Sequence, residues 1–387
     1  IPGVPGNARF EGTVSGDSIT GTFSQSGQEF DFSLERSDDG PASGRPQDPE
    51  PPFPYTEEEV TVMSPAGDVT LAGSLLLPEG DGPFPAVVFL TGSGPQDRNE
   101  ELYGHRPFLV LADALARDGW ASLRLDDRGV GGSGGSDADA TYEDLIADAV
   151  AAADFLTEHA DIGTIGFIGH SQGGYLAPEA ALESAAEFVI SLAGPAVDGL
   201  EVLKEQNRLI IESSVPADGS VSSAEVEAAV EEQLAFLDEL AGRFRDDDPA
   251  GAAAVVREHV TAGLRAQGVP EDELGEIVEA QVEANSSPVM ASFVLYDPQP
   301  LLREFTLPLL AVYGGLDIQV PAEQSTGPLE DALREAGNTD WEITVIDDMN
   351  HLLQPAETGS FEEYPLIETT IHEELFPVLL DWLDAHR

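Results

Sequence analysis

The stretch Ile165-Gly166-Phe167-Ile168-Gly169-His170-Ser171-Gln172-Gly173-Gly174 decides the reading of this chain. Residues 165–168 form a short apolar run of the kind that fills a buried strand, and a helical pattern follows over Gly173 to Glu183. Between them a serine carries a glycine two positions away on each side. At a strand-to-helix junction this spacing sets the serine on a strained turn with its hydroxyl exposed, because small neighbours let strand and helix approach closely. The backbone N–H groups at the start of the helix then face any anion that forms there.

A serine hydroxyl is a poor nucleophile until a base takes its proton, so this reading requires a histidine and an orienting carboxylate further along. Asp317 follows an apolar strand at Leu309 to Tyr313 through Gly314-Gly315-Leu316, and His351 follows a strand at Ile343 to Ile346 after Asp347-Asp348-Met349-Asn350. The order Ser171, Asp317, His351 is the one this topology uses. Asp347 and Asp348 compete with Asp317 as the partner of His351. His105 is the rival base and is read as loop structure, since nothing upstream supplies its carboxylate. His170, inside the elbow, is read as packing that points away from Ser171. His159 and His372 fall at helix ends, His259 in a helical insertion, and His386 at the terminus.

Acyl transfer also needs donors for the developing oxyanion. The N–H of Gln172, directly after the nucleophile, is one expected donor. The second is expected from Thr91-Gly92-Ser93-Gly94-Pro95, the loop after a strand at Ala86 to Leu90, with Ser93 preferred and Gly94 as the fallback. Gly92 and Gly94 are small enough to let the backbone approach a substrate.

Outward from these motifs, strands and helices alternate from Tyr55 onward, which predicts a mostly parallel sheet covered by helices on both faces. Glu59 to Met63 and Val69 to Leu77 read as an opening antiparallel pair. Continuous apolar strands follow at 86–90, 121–125, 165–168, 188–192, 309–313 and 343–346, giving about eight strands. Helices are expected at Pro107 to Arg117, Tyr142 to Glu158, Gly173 to Glu183, Leu329 to Ala336 and Glu373 to His386. More than a hundred residues separate Leu192 from Leu309, and they carry helical periodicity, as in Val226, Val230, Leu234, Leu237 and Leu240. Residues 200–305 are therefore read as an inserted helical cap, with 55–199 and 306–387 as the core. Phe293 and Tyr296, near its return to the core, are expected to line an acyl pocket or to pack inside the cap. Before the core, residues 1–36 read as a small antiparallel meander with turns at Ser15-Gly16-Asp17 and Ser26-Gly27-Gln28, the end of a larger β-rich domain. Residues 37–54 read as a linker.

The composition limits the partners. Asp and Glu number 73 against 17 Lys and Arg, a formal net charge of −56, and Lys204 is the single lysine. Such a field repels nucleic acid and anionic membranes, and no basic stripe interleaved with aromatics offsets it. Acidity of this size with almost no lysine fits a surface suited to high salt, where ions screen the self-repulsion. The absence of cysteine excludes disulfides, thiolate metal sites and a cysteine nucleophile. No apolar run approaches the roughly 20 residues that span a bilayer. The chain starts at Ile1 rather than methionine, so it reads as processed or cut, and any signal peptide would already be gone. The oligomeric state is not readable.

Two further stretches invite other chemistry. Gly129-Val130-Gly131-Gly132-Ser133-Gly134-Gly135 follows a strand but lacks the spacing of a dinucleotide site, and Arg128 is read as a brace for that loop. Asp246-Asp247-Asp248 shows no calcium-loop spacing and is read as solvated surface. No cofactor and no metal are expected.

From Tyr55 to the C-terminus the chain resembles the α/β-hydrolase-fold serine esterases, in particular the bacterial lid-bearing carboxylesterases of the serine-aminopeptidase-like branch. The resemblance rests on Gly92-Ser93-Gly94-Pro95-Gln96-Asp97-Arg98, Asp127-Arg128-Gly129-Val130-Gly131, Gly169 to Gly174, Asp317 to Pro321 and Asn350-His351-Leu352-Leu353. Thr91 stands where the first oxyanion motif usually has histidine, a departure that branch shares. The resemblance implies cofactor-free hydrolysis of a small-molecule ester with a short or medium acyl chain. It also implies an N-terminal β-rich domain and export. An aminopeptidase or amidase, a thioesterase or lactonase, and a catalytically silent binding module remain as alternatives.

Overall fold

The edge of the main sheet is built from a strand that alternates poorly: Tyr55–Ser64 (β4) carries Glu57-Glu58-Glu59 on exposed positions and buries only Val62 and Ser64. Charged side chains on an outer strand discourage edge-to-edge pairing with another chain. The computed structural model describes residues 9–16, 18–25, 28–35, 45–216 and 220–387. Asp17, Ser26-Gly27 and the 37–44 part of the expected linker lie outside the described residues.

The chain divides into two units. One comprises residues 1–43 with 238–291, the other residues 44–237 with 292–387. In the first, Arg9–Ser15 (β1), Ser18–Gln25 (β2) and Gln28–Glu35 (β3) pair antiparallel in that order, the expected meander. The same unit holds the helices Pro249–Ala266 (α6) and Leu274–Asn285 (α7), each burying valines and leucines of one face, among them Val256, Leu264, Val278 and Val282. Arg257 donates from Nε and Nη2 to both oxygens of Glu279 at 3.1 and 2.9 Å.

The second unit holds an eight-stranded sheet. After β4 come Val69–Pro78 (β5), Phe84–Leu90 (β6), Ala121–Leu125 (β7), Ile162–His170 (β8), Phe188–Leu192 (β9), Leu309–Gly314 (β10) and Trp341–Ile346 (β11). Their spatial order is β11-β10-β9-β8-β6-β7-β5-β4, antiparallel across β4·β5 and β5·β7 and parallel elsewhere. β9 and β10 are buried along their whole length, as apolar strands with both faces covered must be. Helices Pro107–Arg117 (α1), Tyr142–Thr157 (α2), Gln172–Leu182 (α3), Ala322–Glu335 (α10) and Leu375–Asp384 (α11) connect or follow these strands. α1 starts on a proline that needs no N–H partner, and α2 on a capping box between Thr141 and Asp144. Between β9 and β10 the chain is helical: Gly199–Ser213 (α4), Ser223–Arg245 (α5), α6, α7, Pro288–Leu295 (α8) and Gln299–Leu302 (α9).

The expected helix at Leu329 to Ala336 is longer. α10 starts at Ala322, behind Pro321, and carries Gly327 and Pro328 inside it. Two residues that read as breakers are tolerated because burial of Ser325, Leu329, Ala332 and Leu333 outweighs one lost backbone bond. The described end of the linker, 45–54, is irregular as expected, yet it is held to its own unit. Arg45 Nη1 donates to Ile367 O at 3.0 Å, and Gln47 Oε1 accepts from the N–H groups of Thr370 and Ile371. Among the described residues no helix is long and apolar enough to cross a membrane.

Strand order positions the functional loops. The sheet grows in one direction from β6 to β7 and in the other from β8 to β11, so the reversal lies between β6 and β8. Ligands of open α/β sheets bind at such a reversal, beyond the carboxyl ends of the strands. Register pairs Leu90 with Gly169 there, and His170 with Leu192 on the next strand. The loop after Leu90 and the turn at Ser171 are thus neighbours.

Candidate active site

Ser171 links β8 to α3 with φ +51° and ψ −115°, a left-handed conformation that a side-chain-bearing residue adopts only when its surroundings enforce it. Here they do: its N–H donates to Leu192 O at 2.8 Å, and its carbonyl accepts from the N–H of Tyr175 at 3.0 Å. A Cβ on Gly173 would stand 2.1 Å from the carbonyl oxygen of Leu90, so the helix fits against the end of β6 only because that residue is glycine. The G-x-S-x-G spacing is the sequence form of this close approach.

His351 Nε2 lies 3.1 Å from Ser171 Oγ, and His351 Nδ1 lies 2.8 Å from Asp317 Oδ2. Asp317 follows β10 and His351 follows β11, neighbours paired from Leu309–Trp341 to Gly314–Ile346, which brings the two loops together. The other oxygen of Asp317 accepts from the N–H groups of Gln319 and Val320, both at 2.8 Å. The loop of His351 is closed by reciprocal bonds at 3.0 Å, from Gln354 N–H to Asn350 Oδ1 and from Asn350 Nδ2 to Gln354 Oε1. Asp317 and His351 are both buried. Of the competing carboxylates, Asp348 pairs with His372 at 3.0 Å instead.

The loop after β6 is fastened at several points. Thr91 Oγ1 donates to Asp127 Oδ1 at 2.7 Å, and the N–H of Gln96 donates to Asp127 Oδ2 at 2.9 Å. Arg98 grips Asp126 through Nε at 3.0 Å and Nη2 at 2.9 Å, and reaches Glu59 with Nη1. Burial pushes Asp127 up to about 8, against the downward pull of the bonds from Thr91 and Gln96. Arg128 is buried; its Nη2 donates to Asp148 Oδ1 at 2.7 Å and to Ala66 O at 3.0 Å, so it braces this region as expected.

Ser93, Glu100, His105, Ser171, His351 and Tyr364 line one pocket, to which Gly92 also belongs. A second, mainly apolar cavity is lined by Leu71, Leu125, Leu145 and Leu176 together with Gly92, Gly94 and Gln172. The expected oxyanion residues therefore border both spaces. Phe293 and Tyr296 are placed elsewhere. They form an aromatic cluster with Tyr142 and Tyr175, and Tyr296 Oη donates to Glu179 Oε2 at 2.7 Å.

Two histidines take roles that residue type alone did not convey. His105 lines the pocket of Ser171 while its Nδ1 meets Thr370 Oγ1 at 2.9 Å; burial, with help from Arg45, lowers its pKa. His170 is more than packing: its Nδ1 lies 2.9 Å from Glu100 Oε1 and its Nε2 lies 2.8 Å from the carbonyl oxygen of His351. Glu100 escaped the sequence reading altogether. Nothing local distinguishes it from Glu101, and only the turn around Asp97, whose Oδ1 accepts from the N–H groups of Asn99 and Glu101, aims it inward at φ +54°.

Residues 106–217 match the family described as "Serine aminopeptidase, S33". Esterase EstD of Thermotoga maritima is 27% identical over 311 residues, covering 80% of this chain and 63% of EstD, so the chain spans less than two thirds of that relative. Among solved structures, an esterase of Pyrococcus furiosus superposes with a TM-score of 0.51 at 16% identity, covering 86% of this chain and 91% of that one. An acylaminoacyl peptidase of Pyrococcus horikoshii superposes with a TM-score of 0.50 at 14% identity, covering 95% of this chain and 48% of that one. The sheet order, the strained serine turn and these likenesses together identify the chain as an α/β-hydrolase related to the serine aminopeptidase S33 family.

Proposed function

We propose that the protein is a serine carboxylesterase that cleaves esters of short or medium acyl chain through an acyl-enzyme. The observation that carries this reading is the connected line from Asp317 through His351 to Ser171, at 2.8 and 3.1 Å. In the reaction Ser171 Oγ attacks the ester carbonyl while His351 Nε2 takes its proton. Asp317 holds the imidazole by Nδ1–H and stabilises the imidazolium. The N–H groups of Gln172 and Ser93 receive the oxyanion of the tetrahedral intermediate. His351 then protonates the departing alkoxide, leaving Ser171 acylated. Water, deprotonated by His351, attacks the acyl carbon, and collapse of the second intermediate returns the proton to Ser171 and releases the acid. No step requires a cofactor.

The apolar cavity beside Gly92, Gly94 and Gln172 favours an acyl chain over a charged one. The similarity to EstD, an esterase, points the same way. In this reading the helical insertion at 200–305 serves as the cap, and the net charge of −56 adapts the surface to high salt.

The test is turnover of p-nitrophenyl esters from acetate to palmitate beside aminoacyl-anilides, at low and at molar salt, with Ser171→Ala as control. Ester cleavage lost in the variant supports the proposal, and the chain-length optimum sizes the pocket. Cleavage of anilides alone would replace it with a peptidase, and no turnover in either panel would replace it with a binding module.

A further inference from the structure

One carboxylate oxygen joins three parts of the site. Glu100 Oε1 accepts from the N–H of Gly92 at 2.6 Å and faces His170 Nδ1 at 2.9 Å; His170 Nε2 faces the carbonyl oxygen of His351 at 2.8 Å. Gly92 immediately precedes the expected donor Ser93, His170 immediately precedes Ser171, and His351 is the expected base. The chain Gly92, Glu100, His170, His351 therefore runs behind the nucleophile and touches the backbone of each loop that must stay in register. Glu100 and His170 are both buried, at 6% and 4% exposure, so the bonds are made in a low dielectric where they are strong.

The partners set the protonation state. A backbone carbonyl only accepts, so His170 Nε2 carries a hydrogen; Glu100 Oε1 already accepts from Gly92, so Nδ1 donates as well. The form of His170 that satisfies both neighbours is the imidazolium, paired with the Glu100 carboxylate. Burial opposes this charge, but Glu100, the carbonyl of His351 and, further off, Asp317 together hold the pKa of His170 above its ordinary value. The titratable groups facing the pair are His351, whose ring centroid lies 5.0 Å from that of His170, with Asp317 beyond it and, on the Glu100 side, Asp127. The space is also closed: a Cβ on Gly92 would come within 2.9 Å of Glu100 Oε1, 3.4 Å of His170 Nδ1 and 3.6 Å of Ser171 Cβ.

We propose that Glu100 and His170 are positioning residues, a buried ion pair that fixes the oxyanion loop at Gly92 to the backbone of His351. The inference rests on the proposed function for its catalytic consequence, but not for the ion pair itself. Because the Gly92 N–H is committed to Glu100, the oxyanion donor from this loop is left to Ser93, and removing Glu100 loosens the hole without touching substrate. Displacing reacting groups by even an ångström costs up to about 100-fold in rate.

The experiment combines kinetics with selective nuclear magnetic resonance of ¹⁵N-histidine protein, the His170 signal being assigned by its loss in His170→Asn. In the wild type at pH 7 both ring nitrogens of His170 are expected to show imidazolium shifts, and in Glu100→Gln its titration moves to lower pH. Glu100→Ala is expected to lower kcat for p-nitrophenyl acetate about 10- to 100-fold with little change in KM. Glu100→Gln keeps the acceptor for Gly92 and so rescues most of kcat at pH 6, but loses it at a lower alkaline pH than the wild type. A neutral His170 ring in the wild type at pH 7, or a folded Glu100→Gln whose pH profile matches the wild type, would overturn the proposal. Should Glu100→Ala fail to fold, the Gln variant and the wild-type spectrum decide the matter alone. If no ester is cleaved by the wild type, the reading of function fails, while the spectrum and the rate of Ser171 labelling by a fluorophosphonate still test the pair.

Discussion

Asp317 divides its carboxylate between two tasks: one oxygen meets His351 Nδ1 at 2.8 Å, and the other is held by the N–H groups of Gln319 and Val320 at 2.8 Å each. The backbone donors fix the carboxylate so that it can fix the imidazole. Asp317→Asn keeps much of this shape, but its amide can present N–H to Nδ1 and select the wrong tautomer of His351. We expect kcat for p-nitrophenyl acetate to fall about 10⁴-fold, with the melting temperature changed by only a few degrees. A loss below tenfold would show that another group orients His351.

Gly173→Ala tests the elbow as a packing device. Its new methyl group would meet the backbone of Leu90 and Thr91, at 2.1 and 2.7 Å, and backbone cannot rotate away as a side chain can. Destabilisation of about 3 kcal/mol or more is expected, read from urea unfolding midpoints, together with loss of esterase turnover. Unchanged stability would mean that helix and strand have room that the geometry denies.

Asp127 gives a pH dependence whose sign can be stated. In the fold it binds its proton up to about pH 8, whereas in the unfolded chain it ionises near the ordinary aspartate value. Between these values the folded state holds the extra proton, so this residue makes stability fall as pH rises from about 4 to about 8. Asp127→Asn removes the contribution, and the stability of the variant relative to the wild type is expected to grow across that window and level off above it. A difference that does not vary with pH, measured by urea unfolding, would show Asp127 to be ionised in the fold.

The 73 acidic residues set against 17 basic ones predict a salt response. Raising KCl from about 0.1 M to about 2 M shortens the Debye length from about 10 Å to a few ångström and removes most of the self-repulsion. The melting temperature is expected to rise by many degrees across that range. A flat curve would sink the reading of a salt-adapted surface.

Much of the sheet was legible because parallel strands leave plain marks. β7 and β9 lie at the expected residues, and β8 extends the expected strand at both ends because pairing with β6 and β9 continues to Gly169 and His170. α10 was read short, since Gly327 and Pro328 suppress the local helical signal that tertiary burial restores. The three residues Ser171, Asp317 and His351 were legible for a different reason: each follows a strand in the order this topology uses, and spacing survives in one dimension.

Sequence alone determined the alternation of strands and helices, the strained serine turn, the absence of thiol chemistry and the size of the negative charge, because each depends on residue type and neighbours along the chain. Tertiary structure decided which polar side chains converge. It set Glu100, indistinguishable from Glu101 in the sequence, against Gly92 and His170; it gave Asp348 to His372; and it gathered Phe293 and Tyr296 with Tyr142 and Tyr175. The physical reason is that hydrogen bonds between residues far apart in sequence depend on strand order and loop direction, and no local pattern encodes either.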